Sequence, residues 1–273
     1  MRRLVTLIIT ALSITAISIF SCLGPREGTN DMKNKVSARD TMIKELGWKI
    51  GMQAWSLRTL TFFDMVDTIK SMGLHYLEAN TGQKIGGGLD GIISPDMSAE
   101  LKQKVLDHLR RQNVKIVSIG VNVPQSSQEW EQFFAFAGSM GIQTIVSDPD
   151  PKFMGLILKL CDQYDMNVCM HNNPLPGRRS RNPDTVLADI LRVGNSRFGA
   201  CADIGNWVRA GYDPVESLKK LQGHVIEVHM KDLLSTAVNA EDTVWGRGNC
   251  NIQGVLEELH RQHFKGLISV EHE

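Results

Sequence analysis

Eight short runs of apolar or β-branched residues, separated by longer stretches, constrain the fold of this chain more than any other feature. The candidate strands are Lys49–Trp55, His75–Glu78, Lys115–Val121, Thr144–Val146, Asn167–His171, Phe198–Asp203, His224–His229 and Leu267–Glu271. Most of the stretches between them carry apolar residues at helical spacing. Strands that alternate with helices predict a parallel sheet. Eight such units in about 225 residues predict an α/β protein with a closed (β/α)8 TIM barrel.

Three helix-stop phrases fit this organisation. Met72-Gly73-Leu74, Met140-Gly141-Ile142 and Phe264-Lys265-Gly266 each place a glycine between a predicted helix and a predicted strand. A doubly wound open sheet is the alternative, but no G-x-G-x-x-G fingerprint opens the first helix. The sequence stops two residues after Glu271. We therefore expect the barrel to lack its final helix, with a poorly covered seam that a homo-oligomer would cover.

The charge balance excludes a partner that is held mainly through phosphates. The chain has 273 residues, of which 42% are hydrophobic, and its 30 Lys and Arg are matched by 30 Asp and Glu. Binding to a nucleic-acid backbone needs a concentrated positive surface. The sequence therefore predicts a globular protein that binds no nucleic acid.

The N-terminus has the pattern of a bacterial export signal. Arg2 and Arg3 precede the uncharged run Leu4–Phe20, which ends at Ser21-Cys22. A basic start followed by a short apolar run is typical of a signal peptide, and the run is shorter than the roughly 20 residues of a spanning helix. A small residue before a lone Cys indicates a lipoprotein signal with lipidation at Cys22. An uncleaved anchor and ordinary cleavage are the alternatives.

This reading divides the chain into three parts. We expect a lipoprotein-type signal peptide over residues 1–21, a polar linker over 22–47 and the barrel over 48–273. The mature protein would be exported to the bacterial cell envelope, where it is a lipoprotein anchored in the membrane or a periplasmic protein.

Polar residues gather at the predicted C-terminal ends of the strands, where TIM barrels hold their active sites. These strand-end residues are Glu78, Asp148, His171, Asp203, His229 and Glu271. Taken singly, an Asp after a strand is more often a helix cap, and a lone His is often structural. Together they form an oxygen and nitrogen donor set that suits Mn²⁺, Mg²⁺, Co²⁺ or Zn²⁺. A divalent-metal site is the leading hypothesis.

The order and spacing of six motifs give the sequence a resemblance to a known family. The motifs are Gly51–Leu57, Tyr76–Glu78, Cys169–Pro174, Asp203–Asn206, Val228–Asp232 and Val270-Glu271. Over residues 48–273 the chain resembles the xylose-isomerase-like TIM-barrel family of sugar isomerases and epimerases, whose barrel is shared with the AP endonuclease 2 superfamily.

The resemblance implies specific roles at the strand ends. It implies a divalent metal held by Asp148, Asp203, His229 and Glu271. It also implies that Asp148 and Glu271 form the proton-transfer pair, because a metal on the substrate oxygens stabilises an enediolate while carboxylates on opposite faces move the proton. The chain departs from the family at Asp148, where Glu is usual, and at Asn206, where many relatives have His.

Further residues are predicted to contact the substrate or to support the site. Glu227 shares strand parity with His229 and is predicted to lie inward beneath it, while Asp232 is expected to cap the next turn. Aromatic walls are common in sugar pockets. The predicted substrate-binding set is Glu78, His171, Asn206, Trp207, Lys231 and Trp245.

The preferred function is that of an exported, metal-dependent sugar isomerase or epimerase that acts through an enediolate on a sugar or keto-sugar. A 3-keto-glycoside lyase uses the same intermediate and is an alternative. A non-catalytic sugar-binding lipoprotein is a second, since fold alone does not establish activity. A metal-dependent abasic-site endonuclease would need a basic rim, which the neutral charge disfavours.

Overall fold

The computed structural model describes residues 41–273; the predicted signal peptide, Cys22 and most of the linker lie outside the described residues. A helical stretch over residues 41–46 precedes eight parallel strands that close into a barrel. The strands are β1 (Lys49–Gln53), β2 (Tyr76–Ala79), β3 (Lys115–Ile119), β4 (Thr144–Ser147), β5 (Asn167–His171), β6 (Phe198–Asp203), β7 (Val225–Met230) and β8 (Leu267–Val270). Each pairs with its neighbours in chain order, and β8 pairs with β1 to close the ring. The predicted TIM barrel is confirmed.

Helices follow the first seven strands. They are α1 (Phe62–Ser71), α2 (Ala99–Gln112), α3 (Ser127–Ser139), α4 (Met154–Tyr164), α5 (Pro183–Val193), α6 (Ile204–Arg209), α7 (Pro214–Lys220) and α8 (Ile252–Arg261). Most begin at a polar cap; for example, the Ser98 hydroxyl accepts from the backbone N–H of Leu101, and this satisfies a donor that the first turn leaves free. No helix within residues 41–273 is both long and apolar enough to cross a membrane.

Two of the three predicted helix stops work as expected. Gly73 and Gly141 have φ of 73° and 70°, the left-handed conformation that ends a helix and favours glycine. At the third, α8 ends at Arg261, and the left-handed residue is His263, with φ of 54°. Gly266 is needed for another reason: a Cβ there would lie 2.3 Å from the carbonyl oxygen of Ile226, so only glycine allows β8 to approach β7.

A short hairpin after β2 was not expected from the sequence. Its antiparallel strands are Lys84–Gly86 and Leu89–Ile92. Three successive glycines, Gly86, Gly87 and Gly88, all have positive φ and make the turn. Each strand has only three or four residues, too few for a clear alternating pattern. The hairpin lies on the side of the barrel where the C-terminal ends of the strands open.

The barrel separates an apolar outer layer from a polar interior. Phe62, Trp130 and Phe134 are fully buried among the outer hydrophobic residues. Inside the barrel, the buried side chains include polar and ionisable groups. Those that matter for the site are Glu78, Ser118, Glu227, His229 and Ser269. Buried groups of this kind must find partners among themselves, because water is excluded.

The seam between β8 and β1 is less exposed than the sequence suggested. No helix follows β8 within residues 41–273. However, the outward-facing side chains at the seam, Ile50, Met52 and Ile268, are all buried, with exposed fractions of 6%, 7% and 1%. The reason for expecting a partner subunit at this place is therefore removed. Whether the chain forms an oligomer stays a prediction.

Candidate functional site

The C-terminal ends of β5, β6 and β7 bring three potential metal ligands together. Donor atoms of His171, Asp203 and His229 all lie within 4.8 Å of one another. Nε2 of His171 is 3.3 Å from Oδ2 of Asp203, and the two imidazole ring centroids are 4.9 Å apart. Asp203 and His229 are neighbours because β6 and β7 pair in a register that sets these two residues side by side.

Glu271 reaches the same group from the end of β8. Its Oε2 is 3.3 Å from Nδ1 of His229, and only 6% of the residue is exposed. Burial raises the pKa of Glu271, but Lys231 and His229 outweigh it and lower the pKa to about 2. The Glu271 carboxylate is therefore ionised at neutral pH.

Lys231 is the cation inside this carboxylate cluster. Its Nζ lies 3.2 Å from Oδ2 of Asp203 and 3.0 Å from Oε2 of Glu271, and the residue is 1% exposed. Burial lowers the pKa of Lys231, yet Asp203 and Glu271 together raise it above its ordinary value. The same ion pairing, with help from His171, lowers the pKa of Asp203 against the effect of burial. In this structure Lys231 contacts protein carboxylates, and its contact with a substrate stays a prediction.

A second polar layer lies beneath the first, deeper in the barrel. Oε2 of Glu78 is 2.6 Å from Nε2 of His229, and Ser118 Oγ donates a hydrogen bond of 2.8 Å to Oε1 of Glu227. Burial and the neighbouring Glu78 raise the pKa of Glu227 well above its usual range. Burial thus favours the neutral form of the Glu227 carboxyl group. The prediction that it lies beneath His229 is confirmed.

Glu78 positions His229 rather than the substrate. Both residues are completely buried, so the prediction that Glu78 binds substrate is corrected. A carboxylate against one ring nitrogen orients the imidazole and directs the other nitrogen outward. In His229 that outward nitrogen is Nδ1, which faces Glu271.

Two asparagines hold Asp203 from its backbone side. The Asp203 N–H donates to Oδ1 of Asn172 at 2.8 Å, and Nδ2 of Asn172 donates to the Asp203 carbonyl oxygen at 2.9 Å. Asn206 N–H donates to Oδ1 of Asp203 at 2.8 Å, which caps α6. Nδ2 of Asn206 donates to the Asn172 carbonyl oxygen. Asn206 is 7% exposed and serves this network, in place of the substrate contact expected from the sequence.

The structure does not bring Asp148 into the cluster, although the sequence placed it among the metal ligands. It follows β4 and is partly buried, and it belongs to neither group of candidate ligands within residues 41–273. Burial raises its pKa, while the Ser180 hydroxyl and His171 oppose the change. His171, which was predicted to bind substrate, occupies the fourth place instead. The cluster lies over β5 to β8, whereas Asp148 follows β4, and for this reason His171 and not Asp148 joins it.

The two predicted aromatic walls have different environments. Trp207, a residue of α6, is 1% exposed and packs in the core, so it presents no face to a substrate and that prediction is corrected. Trp245 is partly buried in the loop after β7 and packs against the core.

Asp232 organises that loop. Its carboxylate accepts hydrogen bonds from the backbone N–H groups of four residues, at distances of 2.8 to 3.0 Å: Leu233, Gly246, Gly248 and Cys250. Gly248 is required there, because a Cβ would lie 2.4 Å from Oδ1 of Asp232. Asp232 was expected to cap a single turn. It instead binds both ends of the long loop after β7, and we call this arrangement the Asp232 tether.

The upper group suits a divalent ion. The ring nitrogens of His229 approach carboxylates but make no hydrogen bond of normal geometry, and Oε2 of Glu271 is also without one. Buried polar atoms are usually hydrogen-bonded, whereas these atoms have only ion-pair contacts with Glu78, Glu271 and Lys231, which leaves them available as metal ligands. Two imidazoles and two carboxylates are ordinary ligands of Zn²⁺, Co²⁺ or Mn²⁺. The residues present therefore fit the metal that the resemblance implies.

The barrel and the buried ligand cluster at its mouth define a TIM-barrel protein with a candidate metal centre. The sequence model described as "Xylose isomerase-like TIM barrel" matches residues 152–273. The crystal structure of an uncharacterised protein of Parabacteroides distasonis ATCC 8503 is similar, with 32% sequence identity and a TM-score of 0.69. The match covers 83% of this chain and 91% of that protein's chain. The chain belongs to the xylose isomerase-like TIM-barrel family.

Two further similarities are more limited. The uncharacterised protein MJ1311 of Methanocaldococcus jannaschii is 29% identical over 119 residues, which span 42% of this chain and 40% of that protein. The crystal structure of the IolI protein with a bound zinc atom is 16% identical, covers 82% of this chain and 88% of its own, and has a TM-score of 0.68. The second similarity is one of fold.

Proposed function

We propose that this protein is an exported, divalent-metal-dependent sugar isomerase or epimerase that acts through an enediolate on a sugar or keto-sugar. The observation that carries the proposal is the buried group of His171, Asp203 and His229 with Glu271 beside it, at the mouth of a barrel of this family. A divalent ion bound there would stabilise negative charge on a substrate oxygen. The zinc in the similar fold of IolI supports such an ion.

The chain's own residues supply the proton transfer. Glu271 is ionised and takes the proton from the carbon beside the substrate carbonyl, and the C–H electron pair moves towards the carbonyl oxygen. Asp148 follows β4, which is four strands from β8 in the eight-strand ring. The two carboxyl groups thus approach a sugar across the mouth from opposite sides. The raised pKa of Asp148 suits a group that gives a proton back.

Hydrogen exchange at the reacting carbon tests this function. Protein loaded with Mn²⁺, Co²⁺ or Zn²⁺ is incubated with candidate keto-sugars in D₂O, and NMR follows deuterium entry beside the carbonyl. We expect exchange only with metal, together with a new epimer or isomer. Exchange with loss of an aglycone would redirect the assignment to a 3-keto-glycoside lyase. Sugar binding without any exchange would favour the non-catalytic sugar-binding lipoprotein.

We also propose that residues 1–21 are removed and that Cys22 carries lipid in the bacterial cell envelope. The support is the apolar run and the small residue before Cys22. Replacing Cys22 with Ala is expected to move the protein from the membrane fraction to the soluble fraction, since the acyl chains supply the membrane affinity. Unchanged fractionation with the N-terminal peptide still attached would contradict the proposal.

A further inference from the structure

The exposed hydrophobic side chains of this protein are concentrated at one end of the barrel. Residues 41–273 have nine exposed large hydrophobic side chains, and eight of them lie in segments that follow the C-terminal end of a strand. The ninth, Leu191, lies on the outer helix α5. The loops at the opposite end of the barrel contribute none of these nine. We call the exposed group around the mouth the apolar rim; its main members are Trp55, Val121, Val123, Leu175, Leu234 and Val238.

The apolar rim is connected to the candidate site by hydrogen bonds. Leu175 N–H donates to Oδ1 of Asn173, one residue from the asparagine that holds Asp203. Oγ of Ser56, beside Trp55, accepts from His272 N–H at 3.0 Å, one residue after Glu271. These two bonds fix the chain next to Leu175 and Trp55 beside the segments that carry Asn172 and Glu271.

The bottom of the barrel mouth is charged, whereas the rim contains exposed apolar side chains. The groups at the bottom of the mouth are ionised and buried, namely Asp203, Lys231 and Glu271. Outside them the loops expose charged side chains such as Arg58 and Arg178 and, between these, apolar side chains whose exposed fractions reach 50% at Leu175 and 58% at Leu234. A free sugar carries hydroxyl groups on all sides and gains little from such a rim, whereas apolar surface gains free energy when another apolar group covers it.

We infer that the substrate of this site is amphipathic: a sugar that enters the polar mouth and carries an apolar aglycone or chain that lies on the apolar rim. This inference rests on the proposed function and narrows its substrate class from sugars in general to glycosides with an apolar substituent.

The test compares glycosides that differ only in the substituent. Methyl and n-octyl β-glycosides of glucose, galactose, mannose and xylose are titrated by calorimetry, with the octyl compounds kept below their micelle-forming concentrations. Each fully buried methylene contributes roughly three- to fourfold in affinity. With about half of the octyl chain covered, we expect at least one octyl glycoside to bind roughly 30-fold or more tightly than its methyl partner.

Matched variants assign the gain to the rim. The double variant Leu175→Asn, Leu234→Asn is expected to lose most of the octyl advantage and to keep the affinity for the methyl glycoside. Leu191→Asn is the control, since Leu191 is equally exposed, at 59%, but lies on α5 away from the mouth. All three substitutions are at the surface and are expected to leave the fold intact.

The outcomes separate the substrate class from the function. Equal affinity for methyl and octyl glycosides, or no binding of any octyl glycoside, overturns the inference. The deuterium-exchange assay on free keto-sugars decides the proposed function independently. Octanol that binds as tightly as the octyl glycosides would show that the rim binds any apolar chain without the sugar, and this overturns the inference. A dimer that dissociates in the double variant, measured by sedimentation, would show that a second copy of the chain covers the rim, and this also overturns the inference.

Discussion

Replacing Glu271 with Gln is expected to lower the rate of proton transfer by about 10²–10⁴-fold, which is the usual contribution of a positioned general acid or base. The amide has nearly the shape of the carboxylate but cannot accept the proton. The substitution also removes the charge of one of the three carboxylates that contact Lys231, so metal affinity must be measured alongside the rate. The measurement is the initial rate of deuterium entry into the keto-sugar at saturating metal.

Two further variants show whether Glu271 acts as the base. Glu216→Gln removes a carboxylate on the exposed outer helix α7 and should leave the rate unchanged. Asp148→Asn should spare exchange on one face while reducing formation of the epimer, because the second proton then has no donor. Exchange that persists at the wild-type rate in the Glu271→Gln, Asp148→Asn double variant would sink the assignment.

Removing His229 is expected to abolish metal binding and its effect on thermal stability. An ion that binds only the folded state at 100 times its Kd stabilises it by about 2.7 kcal/mol, or about 5–10 °C for a domain of this size. His229→Ala should contain no stoichiometric metal and show no such rise. Metal content by mass spectrometry and melting temperature with and without added ion provide the readouts.

His229 is also structural, so a second variant is needed. Removing one partner of a buried ion pair costs about 3–5 kcal/mol, and His229 contacts both Glu78 and Glu271. His171 is nearer the surface, with 13% of its side chain exposed. His171→Ala should fold and still bind metal more weakly, while His260→Ala, on outer helix α8, should behave like the wild type. Full metal retention in both site variants would place the site elsewhere.

The eight strands could be predicted because each is a separate apolar run, and the predicted ends are within two residues of the observed ones. The largest differences have local causes. The first strand was extended to Trp55 but stops at Gln53, since Ala54–Leu57 form a 3₁₀ turn and the Gln53 side chain accepts from the Trp55 N–H. A hydrogen bond from a side chain that ends a strand in this way cannot be read from the pattern of apolar residues.

Which strand-end residues meet could be predicted only in part. The sequence identified Asp203, His229 and Glu271 as site residues, but it chose Asp148 over His171 because a carboxylate was expected on the fourth strand. The choice depends on strand register and on the stagger of the closed barrel, neither of which a single sequence contains. The contact of Glu78 with His229 likewise joins β2 and β7, three strands apart in the ring. Ser118 was missed, although a polar residue inside the apolar run of β3 was a usable signal.

The Asp232 tether has a consequence for how this protein can diversify. Asp232 comes directly after β7, and its carboxylate binds the backbone N–H groups of residues 246, 248 and 250. Both ends of the segment between Leu234 and Val244 are therefore held in place. Ala240 and Asp242 are themselves bonded to Arg209, so changes in length or sequence can accumulate over residues 235–239 without moving Lys231 or His229. Substitutions in that segment can therefore change which ligands bind at the mouth, while the positions of the candidate site residues are kept.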